Sequence, residues 1–271
     1  MLIFFRKLFI FLRRDFLITV SYKVNLIIGL FGMFIGVLKF GFMAKFLSLG
    51  NTFPLINKSG GDLISYLITG GIFMSYVSVS VNSFKSTIRS EQSMGTLEYL
   101  LISNTPLYQI LLFNAISNFL WTTIDSVSIF VVVLAIFNFK TNINLWLTVF
   151  ILLLSIVCIS GIGLASAGII MVTKKGDPIG WLFTTITGLV SGIFYPISVL
   201  PKALRLFSYV FPTTYAMEAL RRALISGATF KSVETQIIVL ICMALLTVPL
   251  GILVFTWGFN RARIDGSLSQ Y

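Results

Sequence analysis

The 271-residue sequence has no histidine, two cysteines and nine acidic residues. Without histidine there is no His-based catalytic triad and no His-ligated metal site. Cys158 and Cys242 both fall inside apolar runs, so they form no disulfide framework. No group of Asp and Glu has metal-ligand spacing, and no G-x-x-x-x-G-K-[ST] occurs, so the chain carries no P-loop to bind ATP. Charged residues make up 11% of the sequence, against about 25% in soluble domains.

Apolar residues fill the place of the missing charge. They make up 57% of the chain, and the mean hydropathy is +0.97. Runs of about 20 apolar residues, the length that crosses a bilayer as a helix, recur along the whole sequence. A membrane barrel would instead show alternating segments of about ten residues. The fold expected is an all-α integral membrane protein with six transmembrane helices. The spans read as Val24–Phe46, Leu63–Phe84, Leu107–Phe137, Leu145–Val172, Ile179–Leu200 and Gln236–Trp257. The third and fourth exceed about 20 residues and must tilt, bend or project from the bilayer. Residues 24–271 are thus one six-span domain, with no soluble domain of its own.

Residues 1–23 read as an N-terminal amphipathic helix at the membrane surface. Arg6, Lys7, Arg13 and Arg14 recur at a spacing of seven, and Phe5, Leu8, Phe9, Leu12 and Phe16 supply apolar faces. A signal peptide would need an apolar core that Arg13-Arg14-Asp15 interrupts. The net charge of +11 flanks the spans and forms no single soluble patch. Its partners are therefore membrane lipid headgroups, and no nucleic acid is implied. With both termini inside, the inner segments hold Arg6, Lys7, Arg13, Arg14, Lys23, Lys85, Arg89, Lys174, Lys175, Arg261 and Arg263. The outer segments hold Lys58, Lys140, Lys202, Arg205, Arg221, Arg222 and Lys231. The bias favours cytoplasmic termini.

Two segments ask for more than a connecting role. Ser90–Pro106, between the second and third spans, carries Glu91 and Glu98. Thr96 suits a helix N-cap, and Glu98 then sits in the first turn, where the dipole favours an anion. Leu97, Leu100 and Leu101 share one side of that helix, and Pro106 stops it. Such a segment either docks on a partner or rests on lipid. The second segment, 193–235, is too apolar for a solvated loop and too broken by Pro196, Pro201 and Pro212 for one straight span. A re-entrant pair of outer helices fits it, with an ordinary kinked span as the rival.

Lys39 in the first span and Asp125 in the third reach similar depths, and intramembrane ions are costly unless paired or functional. They are read as pairing with each other or with a structural partner, with lining of a substrate path as the alternative. So few ionisable groups suit an amphipathic or apolar substrate. Gly32-x-x-x-Gly36 and Gly188-x-x-x-Gly192 allow close helix approach, within one chain or between copies.

The run Glu91-x-x-x-Gly95-Thr96-Leu97-Glu98-x-Leu100-Leu101 followed by Pro106 resembles the signature of the type-2 permeases of ATP-binding-cassette exporters. The later run Phe194-Tyr195-Pro196, Pro201, Pro212-Thr213 and Glu218-Ala219-Leu220-Arg221 is similar to the region after that family's fifth span. The resemblance implies a transport subunit rather than an enzyme, in the cell (plasma) membrane. It implies no cofactor on this chain, with ATP and Mg held by separate nucleotide-binding ATPase subunits. A second permease copy, identical or not, would complete the path. The Thr96–Ser103 helix would be the coupling helix on the ATPase. Phe194, Tyr195, Pro196, Pro201, Pro212 and Thr213 would form an outer gate. Polysaccharide exporters of the family tend to carry a Leu-Gly-x-x-Trp run before span one. Here Tyr22–Gly29 stands in that place, so a drug, lipid or peptide is favoured over a polysaccharide. The rival class is a stand-alone secondary transporter or channel, which calls for charged relays or broken helices in two matching halves.

Overall fold

The computed structural model describes residues 2–24, 63–95, 105–137, 143–173 and 176–264, with 27–29, 31–32, 35–36, 38 and 41–42 between the first two stretches. Most of the expected first span lies outside the described residues, as do Lys39 and the segment 96–104.

The described chain is helical. In order come α1 (Leu2–Ser21), α2 (Leu63–Ser93), α3 (Leu107–Phe137), α4 (Leu145–Thr173) and α5 (Pro178–Val190), then α6 (Lys202–Ser208), α7 (Pro212–Ile225) and α8 (Glu234–Ile264). Single 3₁₀ turns lie at Ile197–Val199 and Phe230–Val233. Among the described residues, α2, α3, α4 and α8 are long and apolar enough to cross a membrane. At 1.5 Å per residue, the 31 residues of α2, α3 or α8 span about 46 Å. That exceeds the ~30 Å hydrocarbon layer, so their ends project.

Three boundaries differ from the sequence expectation, each for a local reason. α2 continues past Phe84 to Ser93, because no helix breaker occurs before Gly95. Gly95 takes φ +67° and its amide donates to the Gln92 carbonyl at 3.0 Å, a left-handed glycine ending the helix. Glu91 therefore sits on the last turn of α2 rather than in a loop. α8 runs seven residues past Trp257, ending on Arg261 and Arg263, whose charges suit a helix C-terminus. α5 stops at Val190, ten residues short of Leu200. Its 13 residues cover only about 20 Å. The break comes at Gly192, which takes φ +71°, a conformation open to glycine and disguised in the sequence by apolar neighbours.

α4 is apolar all round, and it sits at the centre against α2, α7 and α8. Glycines set its contact with α8. A Cβ on Gly161 would lie 2.5 Å from the Thr247 backbone, and one on Gly168 would lie 2.6 Å from that of Phe255. Reciprocally, side chains at Gly251 and Gly258 would run into the carbonyl oxygens of Gly161 and Gly168. In this packing mode small residues let two backbones touch. Thr247 adds a hydrogen bond from its hydroxyl to the Cys158 carbonyl at 2.8 Å. Of the glycines with the spacing of four, Gly192 packs closely, a Cβ there lying 2.7 Å from the Ile197 side chain. Gly32 and Gly36 have nothing within 4 Å of a built Cβ, and Gly188 has ordinary contacts only.

The pairs 161–251 and 168–258 advance together, so α4 and α8 run parallel. The chain between them must return to the side on which α4 began. It does: the Asn144 amide just before α4 donates to the Ala223 carbonyl of α7 at 3.0 Å, and the Phe150 ring meets Phe230. The bundle thus has two distinct ends. The 191–233 region covers one. The ends of α2, α4 and α8 and the starts of α3 and α5 gather at the other, where Phe84, Ile88, Leu111, Met171 and Ala262 form a shared apolar cluster.

Candidate functional site

The flanks of the 90–106 segment and the 193–235 region fall at opposite ends of the bundle. At one end, Gly95 closes α2 and Pro106 opens α3, its carbonyl accepting from the Gln109 amide at 2.9 Å. These two turns bound residues 96–104. Thr96, Leu97, Glu98, Leu100 and Leu101 lie outside the described residues.

Helix α1 lies beside this point. Lys7 donates from Nζ to Thr105 Oγ1 at 2.9 Å, immediately before Pro106. The Phe4 and Phe11 rings pack on Phe113, Phe16 stacks on Trp121, and the Ser117 hydroxyl donates to the Asp15 carboxylate. α1 therefore follows the first turns of α3. Phe5, Phe9, Leu17, Arg13 and Arg14 remain exposed.

The same end holds an ion pair that the sequence reading missed. Asp177 is the N-cap of α5, accepting from the Gly180 amide at 2.8 Å and the Ser166 hydroxyl at 2.6 Å, and it pairs with Lys85 of α2. Burial alone would raise its carboxyl. The hydrogen bonds from Lys85, Ser166 and Gly180, with the charge of Lys85, outweigh that and hold it below the usual carboxylate range. The signal was present in Asp177-Pro178, an N-cap followed by proline at the first helical position.

At the other end each proline opens a helical turn. Pro196 precedes Ile197–Val199, Pro201 precedes α6, and Pro212 is the first residue of α7. The structure brings Thr213 to the α5 break, where its hydroxyl lies 2.5 Å from that of Ser191, both buried. Tyr195 folds back to donate its hydroxyl to the Leu189 carbonyl. Phe194 and Pro196 are half-buried, and Pro201 is exposed.

The organising residue at this end is Arg221, which in the sequence stands as an outer charge and closes the Glu218–Arg221 run. It is 7% exposed. Its Nη1 donates to the Gly192 carbonyl at 2.6 Å, and Nη2 donates to those of Ile193 at 2.6 Å and Tyr66 at 3.2 Å. The Tyr66 hydroxyl donates to the same Gly192 carbonyl at 2.8 Å. Burial lowers the Arg221 guanidinium to about 10, so it stays charged at neutral pH. Helical spacing could have found it, because Thr213, Thr214, Met217, Leu220 and Arg221 form one buried stripe of α7. Asp125, by contrast, is exposed on α3. With Lys39 outside the described residues, the expected pairing of the two falls outside them as well.

Residues 6–225 match the model of the ABC-2 type transporter family. The chain belongs to this family. The match takes in α1, the 91–106 segment and the chain through α7, and so contains both ends of the bundle. An ABC-2 membrane chain is a multi-pass permease subunit. No curated protein matches the chain at a significant level.

Proposed function

We propose that this ABC-2 chain is the permease subunit of an ATP-driven exporter in the plasma membrane, with both termini in the cytoplasm. Two permease copies enclose the path, and separate ATPase subunits hold ATP and Mg. The substrate is an amphipathic drug, lipid or peptide, in keeping with the scarcity of ions in the spans.

The observation that supports this reading is that the turns flanking the first motif and the proline-rich second motif lie at opposite ends of one bundle. Gly95 and Pro106, which flank residues 96–104, lie at the end where the basic helix α1 also sits, and the proline-broken region caps the far end. A helix at Thr96–Ser103 would put Leu97, Leu100 and Leu101 into a groove of the ATPase, while Glu98 meets its basic rim. Gly95 and Glu91 would hold that helix to the rigid end of α2. At the far end Phe194, Tyr195, Pro196, Pro201, Pro212 and Thr213 would close the path.

The test is a Leu101→Ala, Glu98→Ala double variant. Neither residue lies in a span, so it should insert normally. Truncating an interface anchor costs about 1–3 kcal/mol, or one to two decades in affinity. The variant should lose capture of the ATPase and substrate efflux at matched permease levels. Wild-type values for both would leave the segment as a lipid-resting loop and remove the reading.

A further inference from the structure

Arg221 is a buried charge whose described hydrogen-bond partners are all neutral. Three carbonyl oxygens accept from its terminal nitrogens, the Tyr66 ring lies against its plane, and its Nε–H has no acceptor among the described residues. The carboxylate that shares its surroundings is Glu218, and Glu218 is taken by Arg222 at 2.5 Å. Among the described residues the positive charge is therefore spread over dipoles and not neutralised by a carboxylate.

Arg221 is among the residues that line a cavity of about 800 Å³, with Arg222, Glu218, Ser198 and Ser226. Two cations face one carboxylate, so these groups give the cavity a net charge of +1. A cavity walled by protein on several sides screens a charge less than open water does, which strengthens its pull on an anion. The Ser198 and Ser226 side chains are exposed and supply hydroxyl donors. The volume lies within the ~300–1,000 Å³ of small-molecule pockets and exceeds what a bare ion fills.

We propose that this cavity is an oxyanion site that takes a phosphate-class group, with Arg221 and Arg222 as its cations and Ser198 and Ser226 as neutral donors. Arg222 offers the adjustable contact, because it is half exposed and held by one carboxylate and the Ser232 carbonyl. Arg221 supplies a fixed field, because its fork is occupied by the carbonyls after α5. The chemistry fits a free phosphate ester and the phosphodiester of a lipid headgroup equally. No residue of the 94–106 segment takes part, so the site stands apart from the proposed coupling to an ATPase.

The full-length chain in phosphatidylcholine nanodiscs is titrated with inorganic phosphate by calorimetry, against a chloride control. In parallel, discs containing phosphatidylglycerol are read by native mass spectrometry for lipid retained on the protein. Phosphate binding identifies a soluble oxyanion. Retention of phosphatidylglycerol over phosphatidylcholine without phosphate binding identifies a lipid headgroup.

Arg222→Gln should weaken whichever probe binds by roughly tenfold, the scale of one charge-assisted hydrogen bond. Glu218→Gln should strengthen it, because it frees Arg222 and removes the cavity's negative charge. A merely structural ion pair would make both variants weaken binding alike. Arg221→Lys should also bind less tightly. Because it can disturb folding, the two exposed positions decide the matter. Binding of neither probe above its control, or wild-type binding by both Arg222→Gln and Glu218→Gln, overturns the proposal.

Discussion

The guanidinium carbon of Arg221 stands 3.3 Å from the centre of the Tyr66 ring, joining the last turns of α7 to the first turn of α2. The same two residues share the Gly192 carbonyl as acceptor. A single oxygen at the break after α5 is thus held from two helices, and the short fifth helix is fixed at its far end by these two side chains.

Removing Arg221 should therefore loosen the whole far end. Arg221→Ala removes the guanidinium's hydrogen bonds to the Gly192, Ile193 and Tyr66 carbonyls, and hydrogen bonds to a charged group contribute about 1.5–3 kcal/mol each. A loss of about 3 kcal/mol is expected, read as a fall of roughly 6–12 °C in melting temperature of the purified chain in detergent. Tyr66→Phe removes one hydroxyl bond and keeps the ring, so it should cost about 1 kcal/mol. Equal melting temperatures for Arg221→Ala and the wild type would show that the carbonyls find other partners.

The α4–α8 seam makes a sharper test of packing. Gly258→Leu drives a side chain into the Gly168 carbonyl, and overpacking of this kind costs about 1–3 kcal/mol. Gly32→Ala, with open space around it, should be neutral or slightly stabilising, since alanine favours a helix by up to about 1 kcal/mol over glycine. Melting temperatures of the two variants separate the cases. A large loss at Gly32 would instead point to a second copy of the chain packed on that face.

How much of this was visible beforehand depends on where the information lay. The apolar runs set α3 at Leu107–Phe137 and α4 from Leu145, because Pro106 and the polar Thr141–Asn144 stretch mark their starts. The ends of α2 and α8 were hidden, since Arg89–Ser93 and Arg261–Ile264 are polar enough to look like loops yet contain no breaker. Gly192 lay inside an apolar run, and hydropathy does not report a positive φ. The seam glycines are seven apart on each helix, a spacing with meaning only once the partner helix is known. Arg221 was read as a topological charge because its burial depends on Tyr66, 155 residues away.

The Asp177–Lys85 pair carries a pH signature. The Asp177 carboxyl is held below its ordinary value in the fold, so it contributes stability at neutral pH that is lost as pH falls through that lowered value. Asp177→Asn keeps an N-cap of equal quality but removes the charge pair. It should be less stable than the wild type at pH 7, and the gap should close below about pH 4, the ordinary carboxylate value. Asp177→Ala, which also loses the cap, should be worse by about 1 kcal/mol at every pH. A gap between Asp177→Asn and wild type that stays constant from pH 7 to pH 3 would show that the pair does not set the stability of this end.

Orientation is the remaining test, and it follows from the two ends of the bundle. Ser93 lies at the end that holds α1, the Gly95 turn and Arg261, while Ser198 lies at the opposite end; both are exposed. The basic residues outnumber those of the other side around the Ser93 end, and positive loops stay in the cytoplasm. Cys158 is buried but Cys242 is exposed, so both are first replaced by alanine to give a silent background. A cysteine at Ser93 should then react with a membrane-impermeant maleimide only after the cell membrane is opened, and one at Ser198 should react in intact cells. The reverse pattern would turn the bundle over and put the 96–104 segment beyond reach of a cytoplasmic ATPase. Labelling of both sites from outside would mean that the two ends do not lie on opposite faces of the membrane, and the proposed path would fail with that result.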